Sequence, residues 1–70
     1  MSETRTEYGI QATIEDDGRW VKVVDPAPTT DPHMLGHMVT EKRTWQKRRG
    51  FPADAVLVSR TVTVSDWCAI

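Results

Sequence analysis

The chain is predicted to fold as a small α+β domain of ββαβ order, a three-stranded antiparallel sheet packed on one helix. Three features of the 70-residue sequence predict it. Two alternating apolar runs meet across Asp17-Gly18, a helix-start signal stands at Asp31-Pro32, and a β-branched run occupies residues 55–64. A chain this short buries only roughly 60% of the surface its unfolded form exposes, so one domain spanning residues 1–70 is expected.

The first strand is expected over about residues 4–14. Tyr8, Ile10, Ala12 and Ile14 fall on one side and Gly9, Gln11 and Thr13 on the other, the alternation of a half-buried strand. Asp17-Gly18 supplies the positive φ values that a two-residue type I′ turn needs. If Asp16 faces Arg19, Ile14 faces Val21 and Ala12 faces Val23, so turn chemistry and apolar pattern specify one register for a second strand at 19–24.

Residues 25–32 hold three of the four prolines, which remove ladder donors, and read as a loop. At its end Asp31 is suited to accept backbone N–H groups as an N-cap, while Pro32 occupies the first helical position, where its missing donor is not needed. The helix is expected over about 32–49. Met34, Leu35, Met38, Val39 and Trp45 fall in one stripe roughly 140° wide, and Gly50 ends the helix with Pro52 beyond.

The third strand, about 55–64, places Val56, Val58, Val62 and Val64 on one face with Arg60 among them. This implies either a bulge near Ser59-Arg60 or an arginine that reaches solvent from under the sheet end. Residues 65–70, which include Trp67, form a tail without a pattern. Right-handed crossovers and uncrossed connections lead to strand order 2-1-3, with the first strand central. In this arrangement the helix covers the face of Ile10, Ile14, Val21 and Val58.

A net charge of −1 and a charged fraction of 27% describe an ordinary globular surface. The single cysteine, Cys68, rules out an intrachain disulfide, and a reducing compartment, the cytoplasm, is the expectation. Met1 to Glu7 is polar and the longest apolar run is the four residues Ala55 to Val58, so neither a standard export signal nor a membrane span is expected.

Few constellations carry chemistry. His33, His37 and Glu41 stand at i, i+4, i+8 on the helix, but a closed zinc site needs four ligands and this row offers three on one exposed side. A solvated polar face is the expectation, with no metal and no cofactor. Cys68 and a histidine would make a nucleophile and base only if brought together, which their spacing does not do. With no paired carboxylates in a cleft, Gly-rich phosphate loop or nucleophile triad, neither an enzyme nor a small-molecule substrate is expected.

Lys42, Arg43, Lys47, Arg48 and Arg49 crowd the last two turns of the helix. Cations there oppose the negative end of the helix dipole. They also suit phosphate contacts, and Arg43, Lys47 and Arg48 are the candidate residues for nucleic acid, the alternative partner. Against that reading, the charges spread around the helix and the chain as a whole is slightly acidic.

The leading candidate is a surface. The hairpin register sends Trp20, Lys22 and Val24 to the sheet face opposite the helix, where the third strand is expected to add Leu57, Ser59, Thr61 and Thr63. Trp20, Lys22, Val24, Leu57 and Thr61 then form an aromatic anchor with a polar rim, the make-up of a protein interface. A protein partner or a second copy of the chain is the expected ligand, unless the Trp67 tail covers the face.

The run Glu7-Tyr8-Gly9 leading to the Asp17-Gly18 turn, the basic helix with an embedded Trp, and Val58-Ser59-Arg60-Thr61-Val62-Thr63 closing on Asp66-Trp67 resemble small uncharacterised proteins of actinobacteriophages and their hosts. The resemblance spans most of the chain. It implies a phage or prophage accessory protein of the host cytoplasm and brings no activity or site residues with it.

Overall fold

Asp17 and Gly18 take φ of 52° and 78°, the type I′ geometry expected of the Asp-Gly pair. They join β1, Ser2–Asp16, to β2, Arg19–Pro26. The register is the predicted one, with Asp16 opposite Arg19, Ile14 opposite Val21 and Ala12 opposite Val23. Helix α1, Pro32–Arg48, and strand β3, Val56–Ser65, complete the domain in a computed structural model that describes residues 2–65. Ser65, expected in the tail, belongs to β3 opposite Ser2, and the rest of that tail, residues 66–70 with Trp67 and Cys68, lies outside the described residues.

The sheet is antiparallel with order β2-β1-β3. β1 and β2 are longer than expected, while β3 keeps its expected length one residue further on. β2 runs on through Pro26, because Pro26 faces Gly9 at a position whose nitrogen points away from β1. No ladder bond is lost, and the next residue, Ala27, donates its N–H to the Tyr8 carbonyl at 2.9 Å.

Both helix ends are built as predicted. Asp31 Oδ1 accepts from the His33 N–H at 3.1 Å, and Pro32 follows in the first turn. At the other end Gly50 takes φ 75°, Phe51 N–H bonds to the Gln46 carbonyl at 2.9 Å and Gly50 N–H to that of Lys47 at 3.2 Å. This is a Schellman motif, and its usual apolar contact is made by Phe51 on Trp45, with ring centroids 5.4 Å apart.

α1 lies on β1 and β3. The core is small: Ile10, Ala12, Leu35 and Ala55 are buried, and Met38 and Val39 pack partly buried against Ile10, Ala12 and Ala55. The expected stripe is only partly used, since Met34 is 51% exposed and Trp45 is half-buried under the cations of Lys42 and Arg49, 4.3 and 4.9 Å from its ring centre.

β3 presents the opposite face from the one expected. Ile10 pairs with Leu57 and Gly9 with Val58. Opposed residues of an antiparallel pair share a face, so Leu57 joins Ile10 on the helix side while Val58 and Val62 stand with Gly9 and Arg5 on the bare side. The ladder from Val56 to Ser65 has no bulge; Arg60 lies on the bare face, opposite Glu7.

The strands are also staggered. β2 pairs with residues 9–16 of β1 and β3 with residues 2–11, so among the described residues only Gly9, Ile10 and Gln11 have strand neighbours on both sides. A 17-residue helix is about 25 Å long, against a molecule 51 Å in its longest dimension and 13 Å in its shortest. β1 and β3 therefore extend past the helix as a two-stranded arm.

Candidate protein-binding face

The centre of the bare face is a trough made by a missing side chain. Val24, opposite Gln11, leans over Gly9 so closely that a Cβ on Gly9 would stand 2.7 Å from its Cγ1 and 3.0 Å from the Asp25 carbonyl oxygen. Val58 lies opposite Gly9 on the other side. Val24, Gly9 and Val58 make an apolar floor, and Val24 is 53% exposed although it is a branched aliphatic residue.

A charged rim borders this floor toward the arm. Arg60 donates through Nε and a terminal nitrogen to Glu7 Oε1, at 3.0 and 2.9 Å, and Arg5 approaches Glu7 Oε2 at 3.5 Å. These partners are exposed or half-exposed, where an ion pair contributes about 0.2–1 kcal/mol. Their effect is to hold the Arg60 guanidinium against β1, beside Val58.

The predicted site residues divide. Trp20, Lys22 and Val24 do stand in one row on β2, but Leu57 and Thr61 belong to the helix-side face of β3 and do not join them. Val58 and Val62 take their place. Trp20 is 57% exposed, yet its ring meets Phe51 edge-on with centroids 5.4 Å apart, so part of it serves the junction after α1. Val24, not Trp20, is the half-exposed apolar side chain that lies over Gly9 on the bare face.

The basic cluster of α1 is also divided. Arg43 Nε donates to the Ala55 carbonyl at 2.8 Å, which ties the helix to the start of β3. Lys42 lies 3.5 Å from Asp25 and stacks on Trp45 together with Arg49. Lys47 and Arg48 remain exposed in the last turn. His37 Nε2 lies 3.1 Å from Glu41 Oε1, and among the described residues no three His, Cys, Asp or Glu side chains converge as metal ligands would.

Two residues that sequence reasoning passed over form the principal polar junction. Gln46 is fully buried: Nε2 donates to the Thr13 carbonyl and to Asp54 Oδ1, both at 2.9 Å, and Oε1 accepts from the Ala55 N–H at 3.1 Å. Asp54 in turn accepts from the Thr13 N–H at 2.9 Å and from the Thr13 hydroxyl. Those Thr13 bonds, hydroxyl first, and the Gln46 amide hold the Asp54 carboxyl down at about 2. One signal was available, because Gln46 lies only about 20° from Leu35 on the helical wheel, between Leu35 and Val39 within the apolar stripe.

No helix of the described residues is long and apolar enough to cross a membrane. Comparison with protein-family models, with curated proteins and with solved structures finds no match to this chain.

Proposed function

We propose that this chain is a protein-binding module whose working surface is the sheet face that α1 leaves bare. The observation that carries the reading is Val24, half-exposed over Gly9 and beside Val58, with Arg5, Glu7 and Arg60 forming a polar rim. A small apolar floor bordered by hydrogen-bonding and charged groups is the make-up of an interface core and its rim. The function is binding without catalysis, and a phage-type accessory role in the host cytoplasm is part of the proposal on the strength of the resemblance alone.

Nucleic acid is the weaker reading. Of the helix cations, Lys42, Arg43 and Arg49 are engaged within the chain, which leaves Lys47 and Arg48 as a sparse pair for phosphate.

The test is a nuclease-treated pull-down from source lysate with wild type, Val24→Asp and a Lys47→Glu, Arg48→Glu double variant. Because Val24 is exposed, Val24→Asp should keep the wild-type circular dichroism spectrum. A protein retained after nuclease by wild type and the charge variant, but released by Val24→Asp, is the expected result. Loss of every partner on nuclease treatment, or with the charge variant alone, would transfer the function to the helix.

A further inference from the structure

We infer that two copies of this chain join through the free edge of β1 at residues 2–6, converting two arms into one four-stranded antiparallel sheet of order β3-β1-β1-β3. The inference does not rest on the binding role given to Val24: it uses the strand edge, and shares only Arg5 with the rim of that face.

β2 ends at Pro26, opposite Gly9, so among the described residues no strand neighbours β1 on that side from Tyr8 back to Ser2. On its other side the same stretch pairs with β3. The helix does not extend over it, and Glu3, Thr4, Arg5 and Thr6 are exposed. A two-stranded ribbon alone is marginal in water, and a bare strand edge is a template for another strand.

The direction of the backbone groups follows from two observed bonds. The Tyr8 carbonyl points toward β2, where it accepts from Ala27, and the Thr13 N–H points the other way, to Asp54. Successive residues of a strand alternate in this respect. Thr4 and Thr6 therefore direct N–H and C=O toward the vacant edge, while Glu3, Arg5 and Glu7 direct theirs to β3.

Charge then selects the partner and the register. Glu3, Arg5 and Glu7 alternate in sign along one face. A two-fold axis through Thr4 sets Glu3 opposite the partner's Arg5 and Arg5 opposite the partner's Glu3, with Thr4 opposite the partner's Thr4. An axis through Arg5 would oppose Arg5 to the partner's Arg5 and Glu3 to the partner's Glu7, which like charges disfavour. An axis through Thr6 also matches charges but requires the backbone of Tyr8 and Ile10, already used by Ala27 and β2. The Thr4 register stays within the vacant stretch, and its closed two-fold symmetry stops at a dimer.

Sedimentation equilibrium of the full chain at several concentrations tests this. Wild type should show a concentration-dependent dimer. Thr4→Pro removes an N–H from the vacant edge and none from the β3 ladder, so it should weaken the dimer at least tenfold while leaving the thermal melt of the monomer in place. Glu3→Arg and Arg5→Glu should each weaken self-association by a similar factor, because each sets like charges opposite one another. An equimolar mixture of those two variants should restore the dimer as a heterodimer, since every opposed pair then carries opposite signs. A wild type that stays monomeric to millimolar concentration overturns the inference, as does a dimer that survives Thr4→Pro or a mixture that fails to associate.

Discussion

Gln46 Nε2 donates to the Thr13 carbonyl at 2.9 Å, so a side chain from the last turn of the helix serves as a backbone partner for the central strand. β3 begins only at Val56, opposite Gln11, and leaves Thr13 without a ladder neighbour on that side. Gln46 and Asp54 fill the gap, one for the carbonyl and the other for the N–H. With so few fully buried apolar side chains, this junction contributes an unusual share of the packing between α1 and the sheet.

Gln46→Leu should therefore destabilise the domain although it adds apolar volume. It would leave the Thr13 carbonyl and the Ala55 N–H without their partner, and an orphaned buried backbone group costs about 1–3 kcal/mol. A loss of at least ~2 kcal/mol is expected, read from the urea midpoint at constant slope. A midpoint equal to wild type would mean that the two groups find other partners.

Asp54 makes part of this stability dependent on acid. Its carboxyl is lowered from 3.8 in the unfolded chain to about 2, so the stabilisation is fully present above about pH 4 and fades as pH falls toward 2. Urea midpoints of wild type should drop across that window, and those of Asp54→Asn should start lower near neutrality and change less. Parallel curves for the two proteins would place the acid sensitivity elsewhere.

Two glycines should respond to alanine with opposite signs. Gly9→Ala puts a Cβ against Val24 and the Asp25 carbonyl, and overpacking of this kind costs typically about 1–3 kcal/mol. Gly36 lies in α1 with nothing within 4 Å of an added Cβ, so Gly36→Ala should stabilise by roughly 0.5–1 kcal/mol. Thermal melts of the two variants check both at once, and equal shifts would contradict the crowding at Gly9.

The hairpin, the helix and the strand order were legible from local rules. Asp17-Gly18 selects its turn through backbone sterics, Asp31-Pro32 and Gly50 mark the helix ends through donors and φ, and the connections leave order 2-1-3. Each rule acts over a few residues or on connectivity, so each can be read without knowing what lies across the fold.

The face presented by β3 was decided only in three dimensions. The valine row Val56, Val58 and Val62 has the more apolar pattern, and pattern alone assigns it to the helix. The register of β3 depends instead on contacts remote in sequence: Gln46, Arg43 and Asp54 hold the 54–55 segment beside Thr13 and thereby set Leu57 opposite Ile10. A one-residue difference in register reverses every side chain of a strand, which moved Leu57 and Thr61 away from Trp20 and put Val58 beside Val24. The helix covers about half the length of β1, so little of β3 is buried against it and the usual penalty for exposing a valine row is not enough to reverse the register. Local sterics and connectivity determined the elements and their order; contacts between residues distant along the chain determined which surface they expose.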